Sequence, residues 1–415
     1  MSERRYEVSL SGTPVGQLSE DAAGLIQFRF HEVYRRDAAH PVLSPSFEDD
    51  LERTYAGNAS GALPGYFANL LPEGALRAVH ERTWEDAAAN DLSLLSLLGE
   101  DLPGAVTVRS TSSEQSPASR PPSKASEEAT EEASAGMRFS LAGVQLKFSM
   151  LASDSGLTLP GHGEHGDWIV KLGNSRFPGL VENEHATMEW ARACGFDVPE
   201  ARLTPAELLE GLPRRLAPDG SSVFAIRRFD RPAAGVRVHQ EDFAQVMART
   251  RAPRGSGRYK YDGKLESIAV LVSALMGSEG YLELVRRVVF VLASGNFDAH
   301  LKNWSLTYPD GRTPHLAPLY DQTCTVVWPE HDRELALKLA GTRRATEVDE
   351  RLLRLFARKA GEDEEQTLLV ARQTAERARE TFAAEMAPRM QLDSHRAALV
   401  EHWRRVPLLR AAGTL

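Results

Sequence analysis

The sequence predicts an α+β protein: a small β-rich subdomain at the N-terminus, a second β-rich part, and a mainly helical remainder. Three observations carry this reading. Strand-like alternation fills the first 35 positions and returns around Trp168–Leu172 and from Val223. Apolar residues at helical spacing dominate beyond about residue 240. Between the first subdomain and the rest lies 110–136, which contains no Val, Ile, Leu, Met or aromatic residue. Such a run cannot bury a core and reads as a disordered linker.

The elements follow in order. Tyr6–Leu10 and Gly24–Phe30 alternate around the turn Ser11-Gly12-Thr13-Pro14, giving a β-meander. An apolar stretch ends at Asn69-Leu70-Leu71-Pro72-Glu73-Gly74, and helical patterns run over 75–99. After the linker, Ser140-Leu141-Ala142-Gly143-Val144-Gln145-Leu146-Lys147 fits either a phosphate-covering loop or a plain β-turn. Trp168–Leu172 is a short strand with Lys171 near its end, and a helix opens at Val181 and runs to about Cys194. Glu182 or Glu184, in its first turn, is placed to pair with Lys171. Val223–Pro232 is a strand with a polar exit. Helices are expected over 240–249, 264–276, 281–294, 346–360 and 363–385.

Composition bounds the function classes. The 415 residues, 42% hydrophobic and 26% charged, suffice for two or three domains with their own cores. No apolar run approaches the roughly 20 residues of a membrane span, and Met1–Arg5 leads into a strand pattern without an apolar leader. No membrane association is therefore expected. Cys194 and Cys324 lack metal-site spacing and fit a reducing, cytoplasmic setting. A net charge of −9 argues against nucleic-acid binding by the surface as a whole.

The sharpest chemical signal is Asp298-Ala299-His300-Leu301-Lys302-Asn303. It sits just past the predicted helix 281–294, which Gly295 is placed to end. An Asp followed five positions later by an Asn is the pattern of phosphoryl-transfer loops, with the Asp accepting the hydroxyl proton and the Asn reaching Mg²⁺. Trp304–Tyr308, the turn at Pro309-Asp310-Gly311 and His315–Leu319 form a predicted hairpin. That hairpin returns Asp321 beside Asn303 as a second metal ligand. A strand lysine on the nucleotide phosphates, here Lys171, is the other requirement. The alternatives are plain: Asp298 capping a turn, Asn303 at a strand edge, and Lys171 an exposed strand residue. The β-rich part followed by helices matches a protein-kinase-like two-lobed fold.

Taken together, these residues resemble the HipA-type serine/threonine kinases, the toxin halves of bacterial toxin–antitoxin pairs. Val15-Gly16-Gln17-Leu18, the Asn69–Gly74 segment, Ser140–Lys147, Phe229-Asp230-Arg231, Gln240-Glu241-Asp242, Asp298–Asn303 and Tyr320-Asp321 match the family's motifs in order. The resemblance divides the chain into 1–109 (N-terminal subdomain), 110–136 (linker), 137–232 (kinase N-lobe) and 233–415 (helical C-lobe). It implies ATP and Mg²⁺ as cofactors, Asp298 as base, and Asn303 and Asp321 as metal ligands. Lys171, His300 and Lys302 would lie near the nucleotide. Ala142, Gly143, Val144, Gln145 and Lys147 would cover the phosphates. Arg227 to Phe229 would form the adenine hinge, although the family often has an acidic residue where this chain has Arg227. Ser140 would be the site of autophosphorylation. A helix-turn-helix antitoxin of HipB type is the implied partner, with DNA met only through it. Aminoacyl-tRNA synthetases are among the family's protein targets. A small-molecule kinase of the same fold and a non-catalytic corepressor are the competing classes.

Overall fold

A computed structural model describes residues 4–72, 77, 90–111, 145–153, 156–160, 165–212, 214, 216–249, 257–413 and 415. Ser140, Ala142, Gly143 and Val144 lie outside the described residues, as do positions 112–136 of the predicted linker. Ser110, assigned to that linker from composition, belongs instead to the first sheet, and Thr111 is tied to its edge. Ser110 closes a strand, and the Thr111 amide donates to Arg5 O at 3.1 Å.

The N-terminal subdomain is a five-stranded sheet built from β1 (Arg4–Leu10), β2 (Thr13–Glu20), β3 (Ile26–Phe30), β4 (Tyr55–Ala56) and β5 (Val106–Ser110), in the order β4-β3-β2-β1-β5. Period-two patterning puts Tyr6, Val8 and Leu10 of β1 and Ile26, Phe28 and Phe30 of β3 on the buried face. There they meet Phe47, Tyr66 and Phe67 in an aromatic cluster.

The second sheet holds β6 (Lys147–Ser153), β7 (Gly156–Thr158), β8 (Trp168–Lys171), β9 (Ala201–Pro205), β10 (Leu209–Glu210) and β11 (Ser222–Arg227), ordered β10-β7-β6-β8-β11-β9. The helix Leu180–Ala193 packs against it, capped by Cys194 with Gly195 (φ 85) just beyond. A third, small sheet pairs β12 (His239–Asp242) with β13 (Ser305–Tyr308) and β14 (His315–Leu316).

The helical part contains Leu265–Ser294, Glu350–Ala360, Glu364–Thr381, Asp393–Arg405 and Pro407–Ala411. Two expectations change here. Of the helix predicted over 240–249, only Phe243–Val246 is helical, because His239–Asp242 pairs with β13. The 30-residue element Leu265–Ser294 is long and apolar enough to cross a membrane by length and composition. Its backbone, however, is non-helical at Gly277 (φ 67, ψ −168), which restores the two shorter helices read from the sequence. Val288 to Ser294 are all buried in the main core, so this half of the element is a core helix.

Several contacts join the N-terminal subdomain to the rest. Asn69 Nδ2 donates to Ala244 O (3.2 Å) and Arg249 O (2.9 Å). The buried Asp230 carboxylate binds Arg228 and Arg231 and accepts from the Gly104 amide at 2.8 Å. Arg237 gathers the carbonyls of Glu100, Leu102, Gly104 and Val106. Burial alone would raise the Asp230 carboxyl, but the flanking guanidinium groups hold it below the carboxylate range.

Candidate active site

Lys171 ends β8, paired with Phe224 of β11 on one side and Lys147 of β6 on the other. Its ammonium contacts Glu184 Oε1 and Asp321 Oδ1. Of the two glutamates placed by sequence, Glu184 faces inward. It is 1% exposed as a side chain, against 8% for Lys171 and 29% for Asp321. Burial raises Glu184 to about 7 despite the neighbouring lysine. Burial would also raise Asp321, but the charges of Lys171 and Lys147 hold it well below the usual range. Burial would depress Lys171, but Asp321 and Glu184 keep it above an ordinary lysine. At neutral pH the site therefore holds an ionised Asp321 bound by a charged Lys171.

Asp321 has a left-handed backbone, φ 56, which is uncommon for a residue with a Cβ. Its second oxygen, Oδ2, accepts from Asn303 Nδ2 at 2.9 Å. The hairpin β13–β14 thus closes the 18-residue gap between them as the sequence anticipates. Asn303 Oδ1 accepts from the His300 amide at 3.1 Å. Asn296, not singled out from the sequence, ties the two loops together. Its Nδ2 reaches Asp321 O (3.4 Å) and Gln322 Oε1 (3.3 Å), while its Oδ1 accepts from the Asp298 amide (3.1 Å).

Asp298 lies three residues past the helix cap at Gly295 (φ 62), its amide donating to Asn296 Oδ1. Burial raises its carboxyl. A hydrogen bond from Tyr261 and the charges of Lys260 and His331 oppose that rise, and Asp321 adds to it. The His300 ring stands edge-on to Tyr261, 5.1 Å between centroids. Lys302 Nζ donates to Asn69 O at 2.8 Å and lies 3.8 Å from Asp242, so its ammonium engages the N-terminal subdomain. Gln145 Nε2 donates to Leu172 O at 3.0 Å, just beyond β8.

At the hinge position, the Arg227 amide donates to Glu200 O at 2.8 Å, and its partly exposed side chain reaches Pro232 O at 3.3 Å. The Phe229 ring packs on Tyr320 with centroids 5.7 Å apart, and Tyr320 Oη donates to Lys302 O at 2.8 Å. Two motifs of the family pattern have architectural partners. Asp230 and Arg231 belong to the ion cluster described above. Glu241, buried, accepts from Tyr308 Oη at 2.6 Å.

Asp321 offers hard carboxylate oxygens, and beside it Asn303 offers its amide oxygen Oδ1, which here accepts from the His300 amide while Nδ2 faces Asp321. That pair suits Mg²⁺, which takes few protein oxygens and completes its shell with phosphate and water. Among the described residues no three His, Cys, Asp or Glu side chains form a metal-binding group.

A strand lysine pinned by a helix glutamate, above a loop carrying Asp and Asn, defines a protein-kinase-like fold with an added N-terminal subdomain. Comparison with known proteins narrows the class. The HipA N-terminal domain matches residues 6–109, and the HipA-like C-terminal domain matches residues 139–385. Two Sinorhizobium fredii proteins carry kinase as the assigned name. Y4dM is 39% identical over 386 residues, covering 91% of each chain; Y4mE is 32% identical over 385 residues, covering 87% of each. The fold superposes on HipA of Shewanella oneidensis, solved with HipB and its operator DNA. That match has a TM-score of 0.72 at 20% identity and covers 98% of this chain and 96% of the other. The chain belongs to the HipA family.

Proposed function

We propose that this chain is an ATP- and Mg²⁺-dependent serine/threonine protein kinase, the toxin half of a HipA/HipB-like toxin–antitoxin pair. The observation that carries the proposal is the position of Asp321, with one oxygen on Lys171 and the other on Asn303. One carboxylate thereby joins the phosphate-binding lysine to the metal-binding amide.

Mg²⁺ bound between Asn303 and Asp321 would neutralise charge developing on the β- and γ-phosphate oxygens. Lys171 holds the α- and β-phosphates, and Glu184 keeps its ammonium aimed at them. Gln145 and Lys147 would cover the phosphates together with Ala142, Gly143 and Val144, which lie outside the described residues. Arg227 to Phe229 would form the adenine hinge through groups other than the Arg227 and Arg228 amides, which donate to Glu200 O and Asp167 O. His300 would lie on the nucleotide side of the loop, whereas Lys302, which the resemblance also puts there, directs its ammonium to Asn69 O and Asp242. Asp298 orients the acceptor hydroxyl and takes its proton as the oxygen attacks the γ-phosphorus and ADP leaves. A Ser or Thr on a translation protein, such as an aminoacyl-tRNA synthetase, is the acceptor class that the family suggests. Autophosphorylation of Ser140 would regulate the site, and an antitoxin of HipB type would bring the chain to DNA. The cytoplasm is the corresponding location.

The test is transfer of label from γ-labelled ATP to cell-extract protein, together with growth after induction. Asp298→Ala and Asp321→Ala should each lower transfer by several orders of magnitude and relieve growth arrest. Transfer that persists in both variants refutes the mechanism. Label found on a metabolite rather than a protein would replace the protein-kinase reading with a small-molecule one.

A further inference from the structure

We infer that Tyr261 is a positioning residue for the proposed base, an inference that rests on the assignment of Asp298 to that role. Tyr261 Oη donates to Asp298 Oδ1 at 2.6 Å. A carboxylate has two oxygens. Fixing one with a phenol leaves the other to accept the acceptor hydroxyl, and it stops the group rotating about its last bond. Among the described residues no backbone amide donates to the Asp298 carboxylate, so the phenol supplies an orientation that the loop does not.

Tyr261 is well placed to act as a fixed anchor. It closes the short 3₁₀ turn Gly257–Tyr261, and its carbonyl accepts from Arg343 Nη2. Arg343 is held in turn by the carbonyls of Leu335 (2.9 Å) and Ala336. The following residues are pinned as well: the Lys338 amide donates to Gly263 O at 3.2 Å, and the Leu265 amide to Lys338 O at 2.9 Å. Side-chain contacts complete the fixation. His300 meets the Tyr261 ring edge-on, and Lys260 Nζ lies 5.5 Å from its centre. The phenol thus reaches Asp298 from the turn Gly257–Tyr261, which the segment 335–343 holds in place, outside the loop that carries the base. The charged or titratable groups facing Asp298 are Tyr261, Lys260, His331 and Asp321.

The experiment compares wild type, Tyr261→Phe and Asp298→Ala. It uses initial rates of γ-phosphate transfer from labelled ATP into heat-inactivated cell extract, with MgATP affinity measured separately by calorimetry. Tyr261→Phe should lower kcat about tenfold, the scale of a misplaced catalytic group, and leave KM for ATP and MgATP affinity unchanged. Loss of a hydrogen bond to the anion should also move the acid limb of the kcat profile up by about one pH unit. A Tyr261→Phe chain with wild-type kcat and pH profile overturns the inference. So does one that loses MgATP affinity together with rate, because that residue would support the fold rather than the base. An active Asp298→Ala chain removes the base assignment itself, an outcome that the Tyr261 variant cannot mimic.

Discussion

Replacing Lys171 by Met keeps the length of the stem and removes a cation that touches both Glu184 and Asp321. Truncating one partner of a buried ion pair costs about 3–5 kcal/mol when the other charge is left without compensation. Here the two carboxylates divide unequally. Asp321 is 29% exposed and keeps Asn303 and the Lys147 charge, so its loss is softened. Glu184, at 1% exposure, carries most of the penalty. Its folded pKa already stands at about 7, raised from 4.5 by burial, and the variant raises it further. The sign follows. For an acid whose folded pKa is raised, the folded state binds the extra proton, so stability falls as pH rises from the unfolded value through the folded one. The variant should therefore lose about 3 kcal/mol at pH 8 but only about 1 kcal/mol at pH 5, where Glu184 is neutral in the fold. Urea unfolding followed by tryptophan fluorescence at both pH values measures the difference. The double variant Lys171→Met/Glu184→Gln should recover most of the loss at pH 8, because no buried charge remains at 184. Equal losses at pH 5 and pH 8, or no recovery in the double variant, would refute the reasoning.

Two further predictions concern the scaffold. Burial pushes Glu241 up to about 8, so the wild type should lose stability between about pH 4.5 and 8 on its account. Glu241→Gln keeps an acceptor for Tyr308; its melting temperature should match wild type near pH 5 and exceed it by several degrees at pH 9, and parallel curves would contradict this. Gly295→Ala places a Cβ 2.6 Å from Val326 Cγ1 at a backbone φ of 62. The variant should lose about 2 kcal/mol or more in urea unfolding, and a neutral result would mean that the turn before Asp298 is more pliable than its packing indicates.

Much of the candidate site was legible in the sequence because its residues are local to recognisable elements. Lys171 ends a four-residue strand, Asp298 and Asn303 share one loop, and Pro309-Asp310-Gly311 forces the turn that returns Asp321. Less was legible where a distant partner decides the outcome. Gln240-Glu241-Asp242 has helical spacing with its neighbours, yet β13 captures it as a strand. Glu182 and Glu184 are equivalent on paper, and only the packing of the helix on the second sheet buries Glu184 against Lys171. Tyr261 and Lys260 gave no motif signal, since they belong to a turn that reaches Asp298 only after the chain folds back.

By itself the sequence determined the class of fold and the family, and it singled out the side chains proposed for phosphoryl-transfer chemistry. Periodicity, turn residues and short spacings are properties of neighbours along the chain, and they survive without coordinates. Tertiary structure decided which oxygen of Asp321 meets Lys171 and which meets Asn303, that Lys302 turns to Asn69, and that Arg228, Asp230 and Arg231 clamp the N-terminal subdomain. The physical reason is common to all three. Burial makes a charge seek whichever partner packing brings within reach, and that partner lies as many as 233 residues away.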